Sequence, residues 1–302
     1  MTMLSSNHPP ISTSPRSIRF HQLLDQAPFV CMGAHDALSA KLSEEAGAPA
    51  IYVSGFVASA VVAGAPDFGS LSQTEMFEHI RRICRATELP VFADADTGYG
   101  GPLDAARTIQ LWEEAGASAL HLEDQKMPKK CGHFAGKELI SPEEMVQKLR
   151  AMIDARRDPK FFIVARTDAI GVTGIDDAIA RLEAYAAAGA DGLYADAPES
   201  LEQIEELTTR LRPLGKPLLF NMARSGKSPT LSLYEAHQAG FDYCLCPIEP
   251  LLAMHKSLKE MMQAFMADPS TETIADRLTD FHEFNEFIGL PQAIEESKKY
   301  SW

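Results

Sequence analysis

A repeated unit of one apolar strand followed by one amphipathic helix constrains the fold of this chain more than any other feature of its sequence. Eight short runs rich in Val, Ile, Leu and Phe are each followed by polar residues and then by a helical pattern. The runs are apolar throughout rather than alternating, which is typical of a parallel sheet buried on both faces. The predicted strands cover residues 29–34, 50–55, 90–96, 119–125, 161–169, 192–198, 217–223 and 242–247.

The predicted helices share an ending that supports the repeat. Four of them run into a small-residue turn that leads to the next strand, with Gly47, Gly116, Gly189 and Gly240 placed to take a left-handed cap. Eight such units in about 230 residues predict a closed (β/α)8 TIM barrel of the α/β class. An open doubly wound sheet is the alternative, but no G-x-G-x-x-G follows the first strand, which counts against its dinucleotide-binding form.

The segments outside the repeat are predicted to be accessory. Residues 1–19 are rich in Ser, Thr and Pro, and we expect a flexible tail rather than an organelle-targeting helix, because three prolines would interrupt such a helix. Residues 20–268 form the predicted barrel domain. The helical patterns in residues 269–302 exceed what a barrel needs, and we expect them to pack on a partner subunit.

Composition excludes several classes of partner. The chain has 302 residues and a formal net charge of −14, which disfavours nucleic acids and anionic membranes because both attract clustered cations. No run approaches the roughly 18 apolar residues of a membrane-spanning helix. The five cysteines lack the spacing of a disulfide scaffold, so we expect a reducing compartment, the cytoplasm, with the mitochondrion as the alternative.

Polar residues gather where the predicted strands end. In a barrel of parallel strands these carboxyl ends lie at one rim, and the active site is built there. An anionic substrate would be held at this rim by local cations or by a metal. The strand-end residues include Ser54, Gly55, Asp94, Asp96, His121, Glu123, Asp124, Arg166, Asp168, Asp196 and Asn221.

Carboxylates on neighbouring strands favour a metal site. On an extended chain Asp94 and Asp96 project to the same side, and with Glu123 they offer oxygen ligands suited to Mg²⁺, with Mn²⁺ as a substitute. The alternative is that each aspartate caps the following helix or makes an Asx turn. Asp67 lies in a long segment (residues 56–76) that we expect to cover the site, where it either reaches the metal through water or is a turn residue.

The pentapeptide "KKCGH" places Cys131 between cationic neighbours, which favour the thiolate. The alternative is an ordinary surface thiol. Arg166 carries a planar fork suited to a substrate carboxylate, although a salt bridge to Asp168 or Asp196 explains it equally well. The segment "NMARSGKSP" can offer Asn221, Ser225 and Ser228 to an anion, or form a simple turn.

Taken in order, "DADTGYG", "HLEDQ", "KKCGH" and "ARTDA" strongly resemble the isocitrate lyase and phosphoenolpyruvate mutase superfamily over roughly residues 20 to 290. Within it the chain looks most like the short 2-methylisocitrate lyase, 2,3-dimethylmalate lyase and oxaloacetate hydrolase group. The resemblance implies a (β/α)8 barrel whose eighth helix is exchanged between subunits and a homotetramer built from such dimers. It also implies a Mg²⁺-dependent site for a small-molecule carboxylate substrate.

The resemblance also assigns roles. Asp94 would bind the metal directly and the other carboxylates through waters, while Cys131 would be the general acid on a gating loop. The implied metal ligands are Asp67, Asp94, Asp96 and Glu123. The implied catalytic residues are Lys129, Cys131, His133 and Arg166. The implied substrate-binding residues are Ser54, Gly55, Gly132, Arg166, Asp196, Asn221 and Ser228.

Two departures from the family pattern leave the substrate open. Asp196 stands where lyases acting on 2-methylisocitrate usually have glutamate, and Ala223 and Arg224 replace a Thr-Glu pair. We therefore predict a carbon–carbon lyase that cleaves a 2-hydroxy di- or tricarboxylate by retro-aldol chemistry. The alternatives are an oxaloacetate hydrolase or decarboxylase, and a P–C bond enzyme acting on a phosphonopyruvate-like compound. A non-catalytic scaffold is disfavoured because the carboxylates and the loop cysteine are intact.

Overall fold

Eight parallel strands form the centre of the computed structural model, which describes residues 12–224 and 226–300. The sheet runs in the order β6-β5-β4-β3-β2-β1-β8-β7, and a parallel bridge between Leu193 and Leu218 joins its two edges. The prediction of a (β/α)8 barrel is confirmed, and the open-sheet alternative is wrong. The strands are β1 (Phe29–Gly33), β2 (Ala50–Val53), β3 (Val91–Asp94), β4 (Ala119–Glu123), β5 (Phe162–Thr167), β6 (Gly192–Ala195), β7 (Leu219–Asn221) and β8 (Tyr243–Cys246).

Each predicted strand contains an observed one, but the observed strands are shorter. The predicted strands extend into the polar residues that follow, which belong to the loops. The four glycines predicted to cap helices all have positive φ, between 83° and 107°. The local signals for the repeat are therefore sufficient to define it.

Twelve α-helices and three 3₁₀ segments (Ala169–Gly171, Arg212–Leu214, Glu272–Arg277) accompany the strands in the described residues. The helices are α1 (Pro15–Asp25), α2 (Ala37–Glu45), α3 (Gly55–Ala63), α4 (Gln73–Ala86), α5 (Pro102–Ala115), α6 (Pro142–Ala155), α7 (Ile175–Ala187), α8 (Leu201–Leu211), α9 (Leu233–Gln238), α10 (Glu249–Ala267), α11 (Phe281–Phe287) and α12 (Leu290–Ser297).

Helix α1 corrects the prediction of a flexible tail up to residue 19. The helix begins at Pro15 behind Ser14, whose hydroxyl accepts a hydrogen bond from the backbone of Arg16. A proline in the first turn is favourable, because its missing N–H has no partner within the helix there. Residues 1–11 of the predicted tail lie outside the described residues.

The segment 56–76 is not the long loop that its small residues suggested. Helix α3 occupies Gly55–Ala63 and α4 starts at Gln73. Only the short stretch between them is irregular, and it contains Asp67.

The barrel interior is separated from the helical layer because side chains alternate along each strand. One set packs outward against the helices. The inward set begins with an aromatic layer, which we define as Phe20, Phe29, Phe92, Phe162 and Tyr243. Phe20 enters from α1, and its ring centroid lies 5.4–6.1 Å from those of the other four.

The chain divides into two compact units, and the second begins at Leu252, earlier than the predicted boundary at residue 268. In this second unit, several large apolar side chains are exposed on α10, α11 and α12, among them Met262, Met266, Phe281 and Ile294. Within residues 12–224 and 226–300, none of the helices has the length and hydropathy needed to span a membrane.

Candidate active site

A cavity of about 190 Å³ opens at the carboxyl ends of the strands. It is smaller than the roughly 300–1,000 Å³ of drug-sized ligand sites, so it suits a small acid. Ten of the predicted site residues line it: Ser54, Asp67, Asp94, Lys129, Cys131, Gly132, His133, Arg166, Asp196 and Asn221.

The strands position these residues by the same alternation that builds the aromatic layer. On β3 the inward residue Phe92 is followed two positions later by Asp94, and on β6 Tyr194 is followed by Asp196. These two strands therefore lead from an aromatic residue to a charged one. We call the resulting group the charged layer and define it as Asp94, Asp96, Glu123, Arg166 and Asp196.

Asp94 and Asp96 converge, but not in the way the sequence predicted. Strand β3 ends at Asp94, and Asp96 has a positive φ of 45°, so the pair sits on a turn rather than an extended chain. The backbone N–H of Gly55 donates to Asp94 Oδ2 over 3.0 Å. A Cβ at Gly55 would lie 2.8 Å from Asp96 Oδ1 and 2.9 Å from Asp94 Oδ2, so only glycine allows this approach.

The two aspartates titrate differently. Burial alone would raise the pKa of Asp94, but His121, Lys129 and Arg166 together lower it to about 2. At that pH His121 still carries its proton, because burial lowers its own pKa to only about 4. Burial raises the pKa of Asp96 to about 6, and the neighbouring carboxylates Asp94 and Asp67 add to the effect.

Lys129 is buried among these carboxylates. Its ammonium lies 2.9 Å from Asp67 Oδ2 and 2.7 Å from Asp96 Oδ1. Burial opposes its charge, but the surrounding carboxylates raise its pKa well above the usual value. Lys129 therefore remains a cation, and it neutralises part of the charge collected at the rim.

Glu123 provides the test of whether a metal fits here. Both of its side-chain oxygens are buried and have no hydrogen-bond partner within the described part of the chain, and the same holds for Asp67 Oδ1. Glu123 forms an ion pair with Arg166, whose Nε lies 3.3 Å from Glu123 Oε2. Burial raises the pKa of Glu123 well above its usual range. Unpartnered buried oxygens with excess negative charge suit a hard divalent cation.

In the described part of the chain, no three His, Cys, Asp or Glu side chains are already grouped closely enough to hold a metal. The Lys129 ammonium already lies between Asp67 and Asp96. The donor set fits a cation, provided that Lys129 moves relative to these carboxylates when the cation binds.

Arg166 forms the salt bridges that were one of the two interpretations of its role. Its Nε lies 2.9 Å from Asp168 Oδ2 and its Nη2 lies 2.8 Å from Asp196 Oδ2, so the predicted salt bridges exist. The guanidinium also stacks over the ring of Tyr194, 5.2 Å from its centroid, and lines the cavity. A substrate carboxylate would meet an arginine already fixed in orientation.

Cys131 corrects the expectation that its neighbours favour the thiolate. The Lys129 ammonium is engaged by carboxylates, and burial raises the pKa of the Cys131 thiol to about 11, with Asp196 among the contributing charges. The thiol is therefore protonated near neutral pH. This state suits a proton donor rather than a nucleophile.

Three loops meet above the cavity. The backbone N–H of Cys131 donates to the carbonyl of Asp67 over 3.4 Å, and the N–H of Lys227 donates to His133 Nδ1 over 3.0 Å. The segment that carries Cys131, residues 124–140, is called the gating loop below. A Cβ at Gly132 would lie 1.5 Å from Asp196 Oδ2, so glycine is required where this loop crosses the charged layer.

Some site residues were not predicted. Tyr52 lines the cavity and its hydroxyl lies 2.8 Å from His121 Nε2, while the Tyr194 hydroxyl donates to Asp196. Both tyrosines stand two positions before a predicted site residue, so the period-two pattern could have found them. Lys137, a buried residue of the gating loop, had no such signal.

Four predicted residues are not among those that line the cavity: Gly55, Asp96, Glu123 and Ser228. Gly55 is beneath it, against Asp94 and Asp96. Ser228, on the loop after β7, is not among the residues that line the cavity, and its buried hydroxyl has no hydrogen-bond partner among the described residues.

Comparison with known proteins identifies the family. The family model described as phosphoenolpyruvate phosphomutase matches residues 20–266. A 2,3-dimethylmalate lyase from Eubacterium barkeri is 38% identical over 90% of this chain and 93% of its own length. A 2-methylisocitrate lyase from Shewanella oneidensis is 36% identical over 92% and 94%.

Comparison with solved structures leads to the same family. The crystal structure of a 2,3-dimethylmalate lyase, described as a PEP mutase/isocitrate lyase superfamily member, has a TM-score of 0.88 at 32% identity and covers 96% of both chains. An oxaloacetate acetylhydrolase in complex with 3,3-difluorooxalacetate has a TM-score of 0.87 at 31% identity, covering 94% of this chain and 96% of that one. The relatives named as lyases confirm the prediction of an enzyme of this type. This chain belongs to the phosphoenolpyruvate mutase/isocitrate lyase superfamily.

Proposed function

We propose that this enzyme is a Mg²⁺-dependent lyase that cleaves a carbon–carbon bond of a 2-hydroxy di- or tricarboxylate related to 2,3-dimethylmalate and 2-methylisocitrate. The observation that carries the proposal is the placement of the Cys131 thiol and the Arg166 guanidinium on one small cavity above buried carboxylates. The names of the relatives, lyases for these two acids, support the same chemistry.

The 2-hydroxy acid half of the substrate would bind at the charged layer. Arg166 offers its fixed guanidinium to a carboxylate. Ser54 and Gly55 stand at the start of α3, where the helix presents its positive end. The substrate would thus be oriented by groups that are rigid before it arrives.

The metal would be held by Asp94, with Asp67, Asp96 and Glu123 through waters. When bound, Mg²⁺ would neutralise negative charge that develops on the oxygens of the 2-hydroxy acid half. The unpartnered oxygens of Glu123 and Asp67 support this donor set.

The bond changes balance as a retro-aldol reaction. The hydroxyl passes its proton to a carboxylate of the charged layer, the new carbonyl forms as the carbon–carbon bond breaks, and the bond's electron pair passes to the leaving acid. Cys131 then delivers its proton to that carbon, and Arg166 holds negative charge in a site closed off from water. The proton held by the carboxylate later returns to the Cys131 thiolate. The gating loop would bring Cys131 into place after binding.

The outer wall of the cavity bears on the leaving half of the substrate. Phe56, Phe134 and Ile248 provide apolar surface, and Arg224 provides a cation. The backbone of Arg224 is held by the carboxylate of Glu249 at 2.8 Å. We propose that this wall receives an alkyl group and the second carboxylate of the substrate.

We also propose that the C-terminal helices pack on a second copy of the chain within a homotetramer. Exposed apolar side chains support this, with Met266 75% and Phe281 73% exposed. Light scattering on the purified protein should give about four times the 33.1 kDa of one chain. A monomeric mass at micromolar concentration would contradict the proposal.

The decisive test of the function is release of a 2-oxo acid. Purified enzyme with Mg²⁺ is incubated with a panel of 2-hydroxy di- and tricarboxylates, in parallel with Cys131→Ser. We expect pyruvate or glyoxylate from the wild type only. If no substrate of the panel is cleaved, the lyase assignment is wrong; oxalate with acetate from oxaloacetate, or turnover of a phosphonate, would identify the alternative reactions.

A further inference from the structure

Lys137 is a charged residue that the chemistry proposed above does not use, although it is buried beside the site. It lies on the returning arm of the gating loop, and its side chain is only 2% exposed. Its ammonium is 3.0 Å from Asp168 Oδ1 and also donates to the carbonyl oxygen of Gly132. Lys137 therefore ties two parts of the gating loop to the end of β5.

Asp168 connects this lysine to the substrate-binding arginine. Its carboxylate accepts hydrogen bonds from Arg166 Nε at 2.9 Å and from Arg166 Nη2 at 3.1 Å. The Lys137 ammonium and the Arg166 guanidinium thus share one buried carboxylate. The position of the gating loop and the orientation of Arg166 are coupled through it.

The second contact of Lys137 controls the placement of the thiol. Gly132 follows Cys131 directly, and its carbonyl oxygen is fixed by the Lys137 ammonium. On the other side, Gly132 lies so close to the Asp196 carboxylate that no side chain would fit between them. Since both sides of Gly132 are held, Cys131 faces the cavity in one defined position.

The surroundings of Lys137 indicate that these contacts exist only when the loop is closed. Phe134, Ala135, Gly136 and Glu138 around it are exposed, whereas Lys137 itself is buried. Burial of an ammonium is costly unless charged partners compensate for the lost hydration. If the loop opened, Lys137 would return to water and Asp168 would keep only Arg166.

We propose that Lys137 is a positioning residue that latches the gating loop in the closed state, fixing Cys131 for proton delivery and Arg166 for substrate binding. This inference rests on the proposed role of Cys131 in the lyase reaction. It does not require Lys137 to touch the substrate.

The test replaces Lys137 by Met, which keeps the length of the side chain and removes its charge, and by Arg, which keeps the charge. Lys126→Met is the matched control, because Lys126 is on the same loop but 62% exposed, and its ammonium pairs with the exposed Glu138. For each variant we would measure kcat, KM and Tm. We would also measure the rate at which N-ethylmaleimide labels Cys131, using mass spectrometry, with the half-buried Cys246 as the internal reference.

We expect Lys137→Met to lower kcat by about 10–100-fold with a smaller change in KM, the scale of a catalytic group displaced by about 1 Å. Labelling of Cys131 should accelerate about tenfold, as expected for loss of one charge-assisted hydrogen bond that holds the loop, while labelling of Cys246 stays constant. Lys137→Arg should recover part of both effects, and Lys126→Met should match the wild type.

Two results would overturn the inference. One is an unchanged ratio of Cys131 to Cys246 labelling in Lys137→Met, and the other is a parallel rise of both rates with a lower Tm, which would indicate general loosening. If the wild type cleaves no substrate, the lyase assignment fails, but the labelling ratio still decides whether Lys137 holds the loop.

Discussion

The two layers inside the barrel lie at successive levels along its strands, with β3 and β5 contributing to both, and they differ in almost every physical respect. The aromatic layer packs rings against one another, with Phe29 and Tyr243 stacked at 5.4 Å. The charged layer, nearer the carboxyl ends of the strands, brings buried carboxylates against Lys129 and Arg166. Asp94 follows Phe92 by two residues on β3, and Arg166 follows Phe162 by four on β5, so a strand passes from one environment to the other within one or two steps of its alternation.

The difference separates stability from function. Burial of aromatic rings stabilises the fold through lost apolar surface and favourable ring contacts. Burial of charges costs free energy that ion pairs only partly recover. The charged layer therefore contributes to activity rather than to stability. We expect substitutions in one layer to affect stability and substitutions in the other to affect activity.

The largest effect on activity should come from Cys131, which faces the cavity above the charged layer. Cys131→Ser replaces the thiol by a much weaker acid of similar size, so kcat should fall by about 10²–10⁴-fold, the range of general acid catalysis. Because the thiol is not part of the core, Tm should change by less than about 2 °C. Steady-state kinetics and calorimetry measure both. Full activity in this variant would show that Cys131 is not the proton donor.

Substitutions in the aromatic layer should lower stability and leave activity almost unchanged. Phe20→Ala removes a fully buried ring and should lower the free energy of unfolding by about 3–5 kcal/mol, while kcat of the folded enzyme stays within about twofold. Ile18→Ala on the same helix, where Ile18 is 44% exposed, should cost less than about 0.5 kcal/mol. Urea unfolding gives both values. A large loss of kcat in folded Phe20→Ala would show that the two layers are not independent.

Metal binding should stabilise the folded protein through the carboxylates of the charged layer. At a Mg²⁺ concentration about 100 times its dissociation constant, the wild type should gain about 2.7 kcal/mol, and EDTA should reverse the gain. Glu123→Gln should abolish the Tm shift because it removes one of the unpartnered carboxylates. Asp176→Asn, at a carboxylate that is 88% exposed, should retain it. A full shift in Glu123→Gln would remove Glu123 from the metal site.

The smallest effect is on stability at acid pH and comes from the helical layer, outside both layers of the barrel interior. On α4, the pKa of His79 is lowered from 6.5 to about 4, mainly by burial; Arg82 and His35 contribute to the lowering, and Asp36 opposes it. Below pH 6.5 the unfolded chain therefore binds a proton at His79 that the folded chain does not bind. The free energy of unfolding falls as the pH drops below this value. The loss attributable to His79 should reach about 2 kcal/mol at pH 5.

Unfolding in urea at pH 7 and pH 5 tests this, with His79→Gln as the comparison. The variant should lose about 2 kcal/mol less than the wild type between the two pH values. An equal loss in both proteins would show that His79 does not contribute to the acid sensitivity, and would leave the two barrel ends as its source.

The fold could be predicted because its signals are local. Continuous apolar runs, helical spacing and the cap at Gly116 each depend on a few neighbouring residues, and all eight strands were found. The start of α1 was missed because proline breaks a helix in its interior, whereas Pro15 behind Ser14 begins one. The rim residues could be predicted because parallel strands end together.

The rest of the site depends on contacts between loops that are distant in sequence. The raised pKa of Cys131 follows from its burial near Asp196 and Asp67, and no reading of its lysine neighbours contains that information. The Lys129 ion pairs with Asp67 and Asp96 arise the same way. Lys137 lies in an ordinary loop sequence, and only the folded loop gives it two partners.

The ring of Phe20 packs against Tyr243 of the last strand, which joins the two ends of the barrel sequence. During synthesis, α1 leaves the ribosome first and must wait for almost the whole barrel before its partner is available. Contacts so distant in sequence form late and slow the folding of a chain. Until then the ring is an exposed aromatic surface, so nascent chains that stop before β8 should be the forms of this protein most prone to aggregate.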